Sequence, residues 1–131
     1  MSLANVSDIK KVLLVDDEAM SLIFLQTMLE VNGIEVLLAH SAEDAKNIIL
    51  HNRISFVTTD LRMPDQDGFA LIRWCGLNYP EIPIVIYSAT PNRSRDLAGL
   101  FPSVRAHFSK PIKNEELAQL LQWMRDALVS D

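Results

Sequence analysis

The chain is short of the residues that several common chemistries need. It has a single cysteine, Cys75, so no intrachain disulfide framework can form. Its three histidines, His40, His51 and His107, are scattered, and with Cys75 they give no zinc-ligand spacing. Glycine occurs only four times, and neither a GxGxxG fingerprint nor a P-loop is present, which makes dinucleotide or ATP binding a weak reading. No apolar run approaches the roughly 18 residues of a membrane helix. The N-terminus lacks a basic stretch followed by an apolar one, so no signal peptide is expected. These shortages suit a reducing cytosol, and a cytoplasmic protein is expected. Basic side chains are outnumbered 12 to 17 by acidic ones, a net charge of −5. That argues against this domain gripping nucleic acid by phosphate neutralisation, and no membrane partner is expected.

What remains is an ordinary globular composition. Of 131 residues, 49% are apolar and 22% charged, enough for one domain with its own core and too apolar for a disordered chain. Short apolar runs alternate with helical patterns. The runs are Lys11 to Val15, Ile34 to Ala39, Ile54 to Thr59, Ile82 to Tyr87 and, more weakly, Val104 to Phe108. Rich in Val and Ile, they predict buried strands. Helices are predicted over Ala19 to Asn32, closing at Gly33, and over Ala42 to Asn52, capped by Ser41. Others are predicted over Gly68 to Asn78, over Asn92 to Leu100, and from an Asn114 cap onward. In the last, Leu117, Leu120, Leu121, Met124 and Leu128 form one apolar stripe. Strands alternating with helices predict an α/β fold, a doubly wound parallel sheet covered on both faces.

In such sheets ligands bind beyond the carboxyl ends of the strands. The first run ends in Asp16 and Asp17, followed by Glu18. The third ends in Asp60, the fourth in Ser88 and Ala89, and the fifth near Lys110 and Pro111. Three close carboxylates repel one another unless a counter-charge is present. A hard divalent cation such as Mg2+ meets that need and keeps several waters. A cation beside a carboxylate, a hydroxyl and an amine suits phosphoryl handling, with a carboxylate as nucleophile. Taken singly, each of these residues reads as a turn, a cap or a loop. Their joint placement at four strand ends is the signal.

With these residues the chain resembles the receiver domains of two-component response regulators. The match rests on Asp16-Asp17, on Asp60 within DLRMPDQDG (60–68), on Ser88-Ala89 and on Lys110-Pro111. It covers Lys11 to Leu128, leaving residues 1–10 as an N-terminal extension and 129–131 as a C-terminal tail. The resemblance implies a flavodoxin-like (βα)5 fold with a five-stranded parallel sheet in the order 2-1-3-4-5. It implies that Asp60 is the phosphoacceptor. Mg2+ would be held by Asp16, Asp17, Asp60 and the backbone carbonyl of Arg62. Ser88, Ala89 and Lys110 would bind the phosphoryl group or respond to it. Met63, Pro64, Gly68 and Pro111 would shape the neighbouring loops. The donor would be a histidine kinase or a histidine phosphotransfer protein, and the switch would control an output partner or domain.

The chain departs from the family pattern in places. His107 stands where Tyr or Phe is usual, three residues before the lysine. It either replaces the aromatic switch, or adds pH sensitivity, or is simply a partly exposed edge-strand histidine. Ser103-Val104 replace a common GlyAla, Pro91 restrains the start of the fourth helix, and Arg62 occupies a position that varies in the family, where it either tunes the acyl phosphate lifetime or is a solvated loop charge.

Two surfaces are candidates for partners. In the first helix, Phe24, Leu25, Met28 and Leu29 cluster on one side, with Ile23 opposite and Leu22 at the margin. Leu22 and Ile23 are expected to dock the phosphoryl donor, the alternative being an isolated exposed hydrophobe. Trp123 lies off the last helix's stripe. It reads as half-buried over its own helix, the alternative being a homodimer or output face formed by the fourth helix, fifth strand and fifth helix. Two competing functions remain. One is an aspartyl phosphohydrolase, which wants a second Asp at the position of Arg62. The other is a degenerate receiver, which would lack part of the acid set.

Overall fold

Alternation within the apolar runs decides the layering. In the computed structural model, which describes residues 9–63, 66–89 and 101–130 (backbone only at 63 and 66–68), five of these runs are strands of one parallel sheet. They are β1 (Lys11–Val15), β2 (Val36–Ala39), β3 (Ile54–Thr59), β6 (Ile84–Ser88) and β7 (Val104–Ser109). The sheet order is β2-β1-β3-β6-β7, which is 2-1-3-4-5 among the strands of this sheet. The flavodoxin-like order is thus the observed one. The strands that set the first and third site positions, β1 and β3, are neighbours, paired from Lys11↔Ile54 to Val15↔Thr59.

Successive side chains on a strand face opposite ways, so each strand serves two cores. Leu13, Val15, Val57, Ile84 and Ile86 pack with α2 (Ala42–His51) and α3 (Gly68–Asn78). Val12, Leu14, Phe56, Val85 and Tyr87 pack with α1 (Ala19–Val31) and α4 (Asn114–Val129). Burial on both faces explains why the strands read as unbroken apolar runs. In β7 a register shift skips Arg105 and aligns His107 with Ile86 and Phe108 with Tyr87.

The helix ends follow local chemistry. Ser41 caps α2, its hydroxyl accepting the Asp44 N–H at 3.0 Å. At the end of α1, Gly33 N–H bonds Glu30 O and Ile34 N–H bonds Leu29 O, both at 3.0 Å, with Gly33 at φ 84°. This is the Schellman arrangement, completed by burial of Ile34 and Leu29 in the same core. Asn114 is not the cap of the last helix. It is the first helical residue, and Lys113 precedes it as the cap. Lys113 can fill that place because Glu116 reaches back to accept its N–H at 3.1 Å.

Sequence periodicity missed a two-stranded ribbon after Asp60, β4 (Arg62–Met63) paired antiparallel with β5 (Gln66–Asp67), because two-residue strands carry no period. Residues 1–8 of the extension, Pro64, Pro91 and the helix expected over Asn92 to Leu100 lie outside the described residues.

Gly33 is the one described glycine at positive φ, and a Cβ there would meet nothing within 4 Å. The cost of a side chain is therefore conformational alone. Gly33→Ala should destabilise the fold by about 1 kcal/mol in urea unfolding, and Gly33→Asn by less.

Candidate functional site

Hydrogen bonds carry the strand pairing one residue past the strands and so anchor the site. Asp16 N–H donates to Ala39 O, Asp60 N–H to Val15 O and Lys110 N–H to Ser88 O, each at 3.0 Å. Strand period then places Asp16 and Asp60 on the α1 side of the sheet, beyond Leu14 and Thr58.

There the chain gathers Asp16, Asp17 and Asp60, with one carboxylate oxygen of each within 4.8 Å of the others. Asp16 and Asp60 are buried and Asp17 is exposed. Lys110 bridges the buried pair, its Nζ 2.6 Å from Asp16 Oδ2 and 2.9 Å from Asp60 Oδ2. The remaining oxygens are also used: Asp16 Oδ1 accepts the Glu18 N–H and Asp60 Oδ1 accepts the Arg62 N–H, both at 2.9 Å. Burial pushes the Asp16 carboxyl above the usual range, while Lys110 and the Glu18 amide pull it back. Burial alone would lower the Lys110 pKa, but its hydrogen bonds to Asp16 and Asp60 overcome this and raise it to about 12.

Two contacts of Lys110 go beyond the sequence reading. Glu18, noted there only as following the acid pair, stands 3.6 Å from Lys110, and its carboxylate accepts from Ser21. Ser21 first and Lys110 second hold it below the usual carboxylate range. Tyr87 lies under the site: Lys110 Nζ is 5.7 Å from its ring centroid and its hydroxyl accepts the Ile112 N–H at 3.1 Å. Glu18 was visible beside the acid pair, but its reach to Lys110 depends on the packed structure. Tyr87 sits in an apolar run and carried no signal.

The other expected residues divide. Ser88 is fully buried beside Ala89, which is exposed. Pro111 follows Lys110 through a cis peptide. The Met63 side chain and Pro64 lie outside the described set, and Gly68 is described only as the first residue of α3. His107 is corrected in one respect. It is 2% exposed although β7 is an edge strand, because its register opposite Ile86 places it on the covered face that Ile86 shares with α2 and α3. Leu22, expected on the docking face, is 3% exposed and belongs to the core with Leu25 and Leu29, at spacings of three and four. Phe24, assigned to the inner side, is 44% exposed, since it lies about 100° from Leu25. Ile23 is 52% exposed, as expected. Trp123 is half-buried and stacks on Phe108, with ring centroids 6.1 Å apart.

A family profile for the response regulator receiver domain matches residues 12–122. The chain belongs to the response regulator receiver family. It is 32% identical over 114 residues to the two-component response regulator ARR2 of Arabidopsis thaliana, covering 86% of this chain and 17% of that protein. It is 32% identical over 107 residues to response regulator MprA of a Mycobacterium species (strain KMS), covering 82% of this chain and 46% of MprA. The chain thus spans less than half the length of these curated relatives. Among solved structures it is similar to the signal receiver domain of an HD domain-containing protein from Pseudomonas fluorescens Pf-5, with TM-score 0.81 and 22% identity over 93% of this chain and 98% of that one. It is also similar to a response regulator receiver protein from Pseudomonas putida, with TM-score 0.76 and 27% identity over 89% and 96%. As a receiver domain of the two-component type, it is a signalling module. Among the described residues no helix is long and apolar enough to cross a membrane.

The donor set suits the cation that receiver domains generally bind. Three carboxylates are hard oxygen ligands, which Mg2+ prefers, and the exposed Asp17 leaves a side open to water.

Burial lowers the His107 pKa from its ordinary 6.5, and the charge of Asp60 opposes that shift. The unfolded chain therefore binds a proton that the folded receiver resists. Stability from neutral His107 is complete above the unfolded pKa and is lost as pH falls below 6.5 toward the folded value. His107→Phe should lose less stability than the parent between about pH 7 and about pH 5. Parallel stability curves across that window would show that His107 does not contribute.

Proposed function

We propose that this receiver domain takes a phosphoryl group onto Asp60 from the phosphohistidine of a histidine kinase or phosphotransfer protein. A carboxylate oxygen of Asp60 forms a bond to phosphorus as the donor's P–N bond breaks, and the electron pair of that bond stays on the imidazole nitrogen. The observation that carries this reading is the convergence of Asp16, Asp17 and Asp60 within 4.8 Å, with Lys110 bonded to two of them. Nothing in a structural acid cluster requires three carboxylates and a half-buried amine at one edge of a sheet.

Asp16, Asp17, Asp60 and the Arg62 carbonyl would hold Mg2+, which supplies positive charge to the phosphoryl oxygens when bound. Lys110 is already at Asp60 and transfers its hydrogen bond to a phosphoryl oxygen. Ser88, at the end of the neighbouring strand, donates its hydroxyl to another. Ala89 leaves room beside it, and Met63, Pro64, Gly68 and Pro111 shape the flanking loops. Positioning and charge stabilisation are the whole of the catalysis, and the acyl phosphate later hydrolyses. The folded unit is residues 11–128, working in the cytoplasm. Its two phosphorylation states differ around Ser88, and that difference reaches an output partner or domain.

The donor docks on the outer face of α1. Met20, Ile23 and Phe24 are 74%, 52% and 44% exposed there, beside the acid pocket, and three large apolar side chains on one surface helix suit a partner helix.

Intact mass after incubation with acetyl phosphate should show one added phosphoryl group that depends on Mg2+ and is missing in Asp60→Asn. A protein that stays unmodified by both acetyl phosphate and its cognate kinase would overturn the assignment. Ile23→Lys should slow transfer from the cognate donor about tenfold and leave the acetyl phosphate reaction unchanged. Equal slowing of both reactions would mean that the substitution disturbs the pocket rather than docking.

A further inference from the structure

Beneath the acid pocket, between β1, β3, β6 and α1, one hydroxyl has no use in the protein. Thr58 is 3% exposed, and its Oγ1 is fully buried with no hydrogen-bond partner among the described residues. Its strand neighbours on the two sides are Leu14 and Val85. Valine has nearly the same shape and would fill this place without leaving a donor and an acceptor unmet. A buried hydroxyl without a partner is a net cost to folding.

Thr58 lines a small cavity together with Asp16, Ser21 and Tyr87, and with Leu22 and Leu25 from α1. Its free volume is about 10 Å³. That is roughly one water, and a water needs two to four polar partners, which this lining offers. A carboxylate has about four acceptor sites. Asp16 uses one on each oxygen, for the Glu18 N–H and for Lys110, so it can accept another hydrogen bond.

We propose that Thr58 is a positioning residue for the Asp16 carboxylate, acting through a single water held in this cavity. Thr58 Oγ1 donates to the water, and the water donates to Asp16. The proposal rests on the reading of Asp16 as a Mg2+ ligand. Asp16 is otherwise oriented by the Glu18 N–H on Oδ1 and by Lys110 on Oδ2, and that same reading draws Lys110 toward the phosphoryl group. The water holds Asp16 from below, where that exchange does not reach. Outer partners of this kind tune metal affinity without touching the metal.

The test compares the parent, Thr58→Val and Thr58→Ser, with Asp17→Asn as the control for the metal site. Two quantities are read: Mg2+ affinity from Mg2+-dependent thermal stabilisation, and a long-lived water from nuclear Overhauser contacts between water and the residue-58 methyl groups. Thr58→Val should weaken Mg2+ binding by about tenfold and abolish the water contact, and Thr58→Ser should recover the affinity. Unchanged Mg2+ affinity in Thr58→Val, or no long-lived water at Thr58 in the parent, would overturn the proposal. If the parent itself shows no Mg2+ response that Asp17→Asn removes, the metal reading fails, and Thr58 loses its positioning role even where the water is seen.

Discussion

Asp16 and Asp60 leave adjacent strands on the same side of the sheet, and both are buried. Their mutual repulsion would push the ends of β1 and β3 apart if nothing stood between them. Lys110 stands between them, at hydrogen-bonding distance from each. Much of the carboxyl edge is organised to bring that amine there. The parallel order carries β7 to within one strand of β3, and the Ser88–Lys110 backbone bond fixes where the chain leaves β7. The Tyr87 ring lies under the ammonium and holds the next turn of chain through Ile112. A buried triad of this kind is a poor source of stability, because desolvation offsets most of its attraction. Its value, in the proposed chemistry, is that the counter-charge is movable: a lysine on a flexible stem can leave a carboxylate that a cation would then take over.

The fold was largely readable in the sequence because burial on both faces writes itself as unbroken runs of Val, Ile and Leu. The bounds of β1, β3 and α3 came out as expected, and the other elements among the described residues moved by a residue or two. Charged residues at strand ends were equally readable, since Asp16, Asp17, Asp60 and Lys110 interrupt apolar runs at corresponding places. What escaped has physical reasons. The ribbon at Arg62 and Asp67 is too short for any period. Tyr87 and Thr58 look like ordinary strand residues until pairing register shows what they face. Leu22 and Phe24 exchanged sides because α1 is apolar nearly all round, so its sequence does not say which stripe the sheet will cover. Three buried positions, Leu22, Leu25 and Leu29, settle that only in the packed structure.

This apolarity of α1 links stability to recognition. One stripe closes the core against β1 and β3, and the rest leaves Met20, Ile23 and Phe24 in water next to the acid pocket. A helix whose inner face is anchored by leucines and whose end is locked by the Gly33 turn makes a rigid platform. Rigid platforms bind with little ordering cost, which is what the docking role proposed for this face would need.

The cores on the two faces also differ in what they can transmit. Ser88 lies in strand register with Ile84 and Ile86, toward the α2 and α3 side, whereas Lys110 lies with Phe108, toward α1 and α4. The bond from Lys110 N–H to Ser88 O lies within the sheet and ties the two backbones together at the point where their side chains diverge to opposite faces. A hydroxyl over one core and an amine over the other are thus rooted in a single fixed hydrogen bond.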